Sequence, residues 1–215
     1  MATVEIFGIA PSTYTRAVLM ACQEKGVDHT LKVAPPHSPD INAIHPFGKV
    51  PAMRHGDVEL CESKAIASYL DRSFPGPKLL PENPIDAALA EQWISLVNSV
   101  IDPVLVRTYL FQYVFPKGAD GKPDRAAIDA VVPKMREHIT LLEKAVAKTG
   151  HLAGESFSFA DMNLMPILAY LTQFPESAQA IKDAKHLSAY FERHSARPSF
   201  KNTVPPMPGQ QAAPR

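Results

Sequence analysis

The apolar positions of the chain change period near residue 75. Before it, short runs of period two are separated by helical stretches. "TVEIFG" puts Val4 and Ile6 on one face of a strand, and "DHTLKVA" puts Leu31 and Val33 on one face of a second. Between them, Thr15 to Lys25 reads as a helix ended by Gly26, because glycine tolerates the left-handed cap. "AMRHGDVEL" predicts a hairpin turning at His55-Gly56, and from Ser63 on Ile66, Ala67, Tyr69 and Leu70 form one helical stripe. After "PGPKLLPENPID" the period is helical throughout. Leu89, Trp93, Leu96, Val97, Val100, Ile101, Val104 and Leu105 predict a helix over 86–115, kinked at Pro103. Ile128, Val131, Val132, Met135, Ile139, Leu142 and Val146 predict another over 125–148. The next opens on a complete start signal. Ser158 is its N-cap, Asp161 completes a capping box, and Phe157 is placed to staple onto Met162. Both Ser158 and Asp161 read as structural rather than catalytic. "HLSAYFERHSA" (186–196) predicts the last helix.

The order β-α-β, a short irregular helix, then β-β-α is that of a thioredoxin-like domain. The expected architecture is therefore α/β followed by all-α: a thioredoxin-like domain over 1–75, a linker over 76–85 and a helical domain over 86–202. Of the 21 prolines, four fall in "PPMPGQQAAPR", so 203–215 reads as a disordered tail. Composition then narrows the function classes. Lys+Arg and Asp+Glu are both 22, which argues against a nucleic-acid partner or a membrane held by charge. No uninterrupted apolar run approaches the ~20 residues that span a bilayer, and the chain opens as a strand rather than a leader. Two cysteines, Cys22 and Cys61, lack metal-ligand spacing, and each reads as a small buried hydrophobe. A cytoplasmic protein without a metal centre is the expectation.

"APSTYTR" (10–16) stacks four hydroxyls, Ser12, Thr13, Tyr14 and Thr15, where the first strand turns into the first helix. Capping needs one. Three segments, "FGIAPSTYTRAVLMACQEKGV", "HPFGKVPAM" and "LCESKAIASYLDRSFP", together resemble the cytosolic glutathione S-transferases, nearest in pattern to the serine-type phi class. "EQWISLVNSVIDPV" resembles the first helix of that family's second domain, so the resemblance runs from residue 3 to about 201.

The resemblance implies an enzyme that takes glutathione as co-substrate, holds no permanent cofactor, and conjugates the thiol to small hydrophobic electrophiles. Peroxidase activity toward organic hydroperoxides fits the same chemistry. The turn that holds Cys-x-x-Cys in thioredoxin-like redox proteins holds "PSTY" here, so the sulfur must come from glutathione. Ser12, four residues before Arg16, is the first choice for the hydroxyl that stabilises the thiolate, with Thr13 and Tyr14 as alternatives. Thr15 reads as a plain helix cap, and Arg16 as a brace through carboxylates or carbonyls. Val50-Pro51 falls where the family has a cis proline, which would turn the Val50 backbone toward the cysteinyl unit. Ser63 is implied to hold the γ-glutamyl carboxylate and Glu62 to orient the γ-glutamyl amino group. Lys49 stands in place of the phi-type glutamine and His37 in a shortened basic loop, both candidates for the glycyl carboxylate. His45, in place of asparagine before Pro46, is read only as helping the turn. Ile9 and Pro36, with Phe111, Tyr113 and Phe115, are the candidate electrophile pocket. A homodimer is expected. Two other readings stay open: a glutathione-dependent disulfide reductase, and a non-enzymatic stress or binding protein on the same fold.

Overall fold

Val4, Ile6 and Phe7 are all buried, so the first strand, β1 (Val4–Gly8), is covered on both faces. The computed structural model describes residues 3–205, the side chain of Asp120 excepted. They divide into two units, residues 3–80 with 195–205 and residues 81–194.

In the first unit, β1 is followed by α1 (Thr13–Lys25), β2 (His29–Val33), α2 (Pro39–Ile44), β3 (Ala52–His55), β4 (Val58–Cys61) and α3 (Ser63–Ser73). The sheet order is β2-β1-β3-β4, with β1 parallel to β2 and antiparallel to β3, and β3 antiparallel to β4. This is the thioredoxin-like arrangement. Helix α1 packs against α3. Phe7 points into a second small core with Ala34, Ile41 and Ala52, which seats α2. Gly26 ends α1 in the left-handed region (φ 74°), as its position predicts. The helix begins two residues earlier than expected, because Ser12 rather than Thr15 is its cap. The hairpin loop is Gly56-Asp57, one residue later than read, since His55 still pairs with Val58. Leu31 and Val33 do not share a buried face: β2 is an edge strand, and Val33 at its end is 78% exposed.

A buried ion pair locks this unit. Lys25 Nζ lies 3.0 Å from Asp71 Oδ1, and the same oxygen accepts the Leu79 N–H at 2.8 Å. One carboxylate thus ties the end of α1, the end of α3 and the segment that leaves the unit. The chain returns after residue 194. Helix α10 (Pro198–Lys201) sits on α1, and Glu24 accepts both Arg197 Nε (2.8 Å) and Nη2 (2.6 Å) together with the Ser199 hydroxyl.

The second unit is helical. Asn83 caps α4 (Pro84–Leu96) by accepting the Ile85 and Asp86 N–H groups, with Pro84 at the first position, where its missing donor costs nothing. The helix runs on through wide π-type turns over Val97–Ile101 and Pro103–Leu110 into α5 (Phe111–Val114). Pro103 has no N–H for an i→i−4 bond, and the widened turns are how the helix continues past it. The continuous stretch Pro84–Val114 is long and apolar enough to cross a membrane by length and composition. It carries Asp86, Glu91, Asp102 and Arg107, and its buried face (Ala90, Ile94, Val97, Ile101, Leu105) belongs to the core. Against it packs α6 (Arg125–Val146), burying Ile128, Val131, Met135, Ile139, Leu142 and Val146 in the predicted rhythm, with α7 (Phe159–Leu171) on the other side. Helices α8 (Pro175–Asp183) and α9 (Lys185–Ser195) complete the set. Leu89 and Val100, expected in the core, are 38% and 44% exposed. The tail expected over 203–215 lies outside the described residues from 206 on.

Candidate functional site

The register of the sheet collects the candidate residues of the first unit at one end. Phe7 pairs with Ala52 and Ala52 with Cys61, while Gly8 pairs with Val33. The connections 9–12, 34–38, 49–51 and 62–63 therefore all emerge together, though they are up to 54 residues apart in sequence. Ile9, Ser12, Pro36, His37, Lys49, Val50, Pro51, Glu62 and Ser63 are brought to that end.

Ser12 precedes α1 with an extended backbone (φ −67°, ψ 127°), and its Oγ accepts the Thr15 N–H at 3.3 Å. That bond uses a lone pair, so the hydroxyl hydrogen is left to donate elsewhere. The first turn of α1 carries no acidic residue, so the positive end of the helix is uncompensated by side chains. Thr13 is the first helical residue and buried, with 6% exposure; Tyr14 follows and is half-buried. Thr15 is fully buried against Gly8, where an added Cβ would stand 2.5 Å from its Oγ1. Glycine at 8 is what lets the helix start this close to the strand. Arg16 is buried too, its guanidinium 5.1 Å from the Phe200 ring centre of α10, so an aromatic face is part of its brace.

The Val50-Pro51 peptide is cis, as the resemblance implies. Glu62 adopts φ 69°, a left-handed value uncommon outside glycine, and precedes α3 without capping it through its side chain. Ser63, at the first position of α3, is buried, and no acidic residue occupies that first turn. His37 and Lys49 are both exposed, and their loops are joined: the His37 N–H donates to the Gly48 carbonyl at 2.8 Å. Gly48 has φ 63°, and a Cβ there would collide with the His37 imidazole.

His45 does more than the turn assigned to it. Its Nδ1 accepts the Phe47 N–H at 3.1 Å, which is the turn, but its Nε2 stands 3.5 Å from Glu62 Oε1. Nothing local to "HPFG" signals that second contact. The cysteines also part company. Cys22 is fully buried and burial pushes its thiol up to about 12, whereas Cys61, read as buried, is only half-buried at the end of edge strand β4.

In the second unit, Phe111 is half-buried under the Arg107 guanidinium, and Phe115, 59% exposed, meets it edge-on at 5.0 Å. Tyr113 is already engaged: it stacks on Phe174 at 4.4 Å and donates its hydroxyl to Glu176 Oε2 at 2.5 Å. Glu176 also accepts Tyr109 (2.9 Å) and pairs with Arg125 (2.6 Å). Burial opposes its ionisation, but these donors win and hold its carboxyl at about 2. Asp161 accepts the N–H of Ser158 and of Leu152, both at 2.9 Å, and the Tyr190 hydroxyl at 3.0 Å; burial nonetheless raises its pKa. Phe157, expected to staple onto Met162, lies 4.6 Å from the His194 ring.

Comparison with known proteins gives the same outline. Residues 6–78 match the family model for the glutathione S-transferase N-terminal domain, and residues 104–198 match that for the C-terminal domain. Glutathione S-transferase 1 of Triticum aestivum is 29% identical over 222 residues, covering 97% of this chain and 96% of that one. The crystal structure of glutathione transferase F7 from Populus trichocarpa superposes with a TM-score of 0.82 at 30% identity, covering 94% of this chain and 98% of its own. Glutathione S-transferase I from maize, solved in complex with an atrazine glutathione conjugate, gives 0.82 at 28% identity, covering 94% and 97%. The chain belongs to the glutathione S-transferase family, with phi-class relatives, and is a transferase that uses glutathione as its co-substrate.

Proposed function

We propose that Ser12 donates its hydroxyl hydrogen to the sulfur of bound glutathione and keeps it as the thiolate, which then attacks a small hydrophobic electrophile. The observation that carries this is the cap geometry: Ser12 Oγ receives the Thr15 N–H, so its own O–H is available ahead of a helix N-terminus. Thr13 lies within the helix and is buried, which favours Ser12 over it. A free thiol titrates near ~8.5, so only a few per cent is thiolate at neutral pH. Lowering it by two units requires about 2.7 kcal/mol of preferential thiolate stabilisation. One charge-assisted hydrogen bond, worth ~1.5–3 kcal/mol, meets that requirement with help from the helix end.

The rest of the tripeptide has a place along the same sheet end. Val50 offers backbone groups to the cysteinyl unit. Among the described residues no backbone hydrogen bond engages Val50. The Ser63 amide and hydroxyl take the γ-glutamyl carboxylate, and Glu62 takes the γ-glutamyl ammonium. Lys49 and His37, on joined loops, take the glycyl carboxylate. In the first unit, Ile9 and Pro36 contribute apolar surface for the electrophile; within the second, the Tyr113 hydroxyl is held by Glu176, which leaves its ring as the apolar part. Ser158 and Asp161 serve the fold and not the chemistry. The conjugation of foreign electrophiles makes detoxification in the cytoplasm the expected setting.

We infer a homodimer as the working assembly. An apolar groove of about 370 Å³ between α4 and α6, lined by Trp93, Leu96, Val100 and Leu141, gives a second copy a surface to cover. The mechanism is tested by titrating the ultraviolet thiolate band of glutathione on the wild-type enzyme, Ser12→Ala and Thr13→Ala. Wild type and Thr13→Ala should ionise well below the free thiol and Ser12→Ala should not. Ionisation of the wild-type complex at the solution value would overturn the reading.

A further inference from the structure

We propose that His45 is a positioning residue for the co-substrate site: it holds the Glu62 carboxylate in the orientation that receives the γ-glutamyl ammonium. The inference rests on the reading of Glu62 given above and adds a residue that the family resemblance assigns only to a turn.

The ring's protonation follows from its main-chain partner. Nδ1 accepts the Phe47 N–H at 3.1 Å, so in the neutral imidazole the proton is on Nε2. Nε2 faces Glu62 Oε1 at 3.5 Å. The two partners differ sharply in freedom. His45 is 3% exposed and fixed by its turn, while the Glu62 side chain is 69% exposed. The ring is thus a fixed post beside a solvent-exposed carboxylate, and a small rotation of Glu62 would close the contact to a full hydrogen bond. Glu62 is poised for this rather than for its helix. Its side chain makes no cap bond to α3, and its backbone is held at φ 69°. Backbone in so sparsely populated a region persists only where the surrounding structure over-determines it, as at ligand clamps. With Oε1 anchored from below by Nε2–H, Oε2 remains for the ligand, and the rotamer freedom otherwise lost on binding has been removed beforehand. The asparagine that the phi-type pattern has before this proline reproduces only half the device. Its Oδ1 can accept the residue-47 N–H as an Asx-turn, but its amide stops short of the Glu62 carboxylate.

That difference supplies the experiment. His45→Asn keeps the Nδ1-like acceptor and deletes the Nε2 donor, whereas His45→Gln places an amide N–H near the Nε2 position and deletes the acceptor. Glutathione Kd, KM for glutathione, kcat and Tm are measured for both, for Glu62→Gln and for the His45→Asn/Glu62→Gln pair. The expected result for His45→Asn is wild-type Tm, kcat at saturating glutathione within about twofold, and Kd and KM raised about fivefold. His45→Gln should restore Kd and KM while lowering Tm. In the Glu62→Gln background, His45→Asn should add less than about twofold. If Glu62→Gln weakens glutathione binding but His45→Asn does not, or if the two losses multiply fully in the pair, the positioning role is wrong and the reading of Glu62 stands. If Glu62→Gln itself leaves Kd unchanged, the failure lies in the reading of Glu62, and the inference about His45 falls with it.

Discussion

At the residue scale, chemistry depends on which hydroxyl in "PSTYTR" stands at the boundary of α1. Ser12 is that residue, and its hydroxyl caps with a lone pair while keeping a hydrogen to give. Ser12→Ala should lower kcat/KM by on the order of 100-fold, the usual cost of losing one preorganised donor to a developing or bound anion. Thr13→Ala should fall within a few-fold of wild type in the same conjugation assay. The cysteines give a second prediction. Cys22 is fully buried with its thiol pushed up to about 12, so it is neither accessible nor ionised near neutrality. Iodoacetamide should label Cys61 in the folded protein and leave Cys22 untouched until denaturant is added, as peptide mass mapping would read. From the sequence both cysteines look alike. Exposure separates them, and exposure depends on what the rest of the sheet and helices cover.

At the scale of elements, two carboxylates hold the packing of their units. Asp71 neutralises a lysine that is itself 1% exposed and also accepts the Leu79 N–H. Asp71→Ala would leave Lys25 buried without its partner, a loss of about 3–5 kcal/mol that urea unfolding would register. Glu176 gathers Tyr109, Tyr113 and Arg125 where α8 meets the π-turn helix and α6. Its folded pKa of about 2 lies below the ordinary glutamate value of 4.5. A depressed acid contributes stability that is present above its unfolded pKa and is lost as pH falls through the window from about 4.5 to about 2. Glu176→Gln removes that contribution, so the variant should be less stable at neutral pH. The gap between the two should narrow across that window, as thermal melts at a series of pH values would show. Helix ends were partly legible in the sequence. Gly26, and the Ser158–Asp161 pair with its N–H bond at 2.9 Å, announced their helix ends correctly. Thr15 did not, because four hydroxyls in a row offer four possible caps, and in the structure Ser12 takes the role by accepting the Thr15 N–H.

At the scale of the molecule, an apolar surface on the second unit has a consequence for assembly. Leu89 and Val100 are 38% and 44% exposed although their spacing matches a core stripe, and Leu141, outside the stripe of α6, is 50% exposed. Val100→Glu and Leu141→Glu should convert a dimer to monomer in sedimentation velocity, with the helical content of the chain retained. Neither change touches the packed face of its helix. A periodic apolar pattern shows that a helix has a greasy face without saying what covers it. The amphipathic rhythm over 86–115 therefore predicted the helix and overstated the core within one chain.

What the amino-acid order determined by itself was local and periodic. The strand and helix succession, the helix ends at Gly26 and Ser158, and the change of grammar after the first 75 residues all rest on neighbours within a turn or two. The family motifs carried the roles of Ser12, Glu62 and Ser63 as expectations in the same way. The tertiary structure alone decided the rest. Sheet register, Phe7 opposite Ala52 opposite Cys61, gathers loops far apart in sequence at one end of the sheet. The packing of the first unit sets His45 Nε2 3.5 Å from Glu62, leaves the end of edge strand β2 uncovered, and seats α10 on α1. Each of these depends on which surfaces meet when the layers pack, and no window of neighbouring residues contains that information.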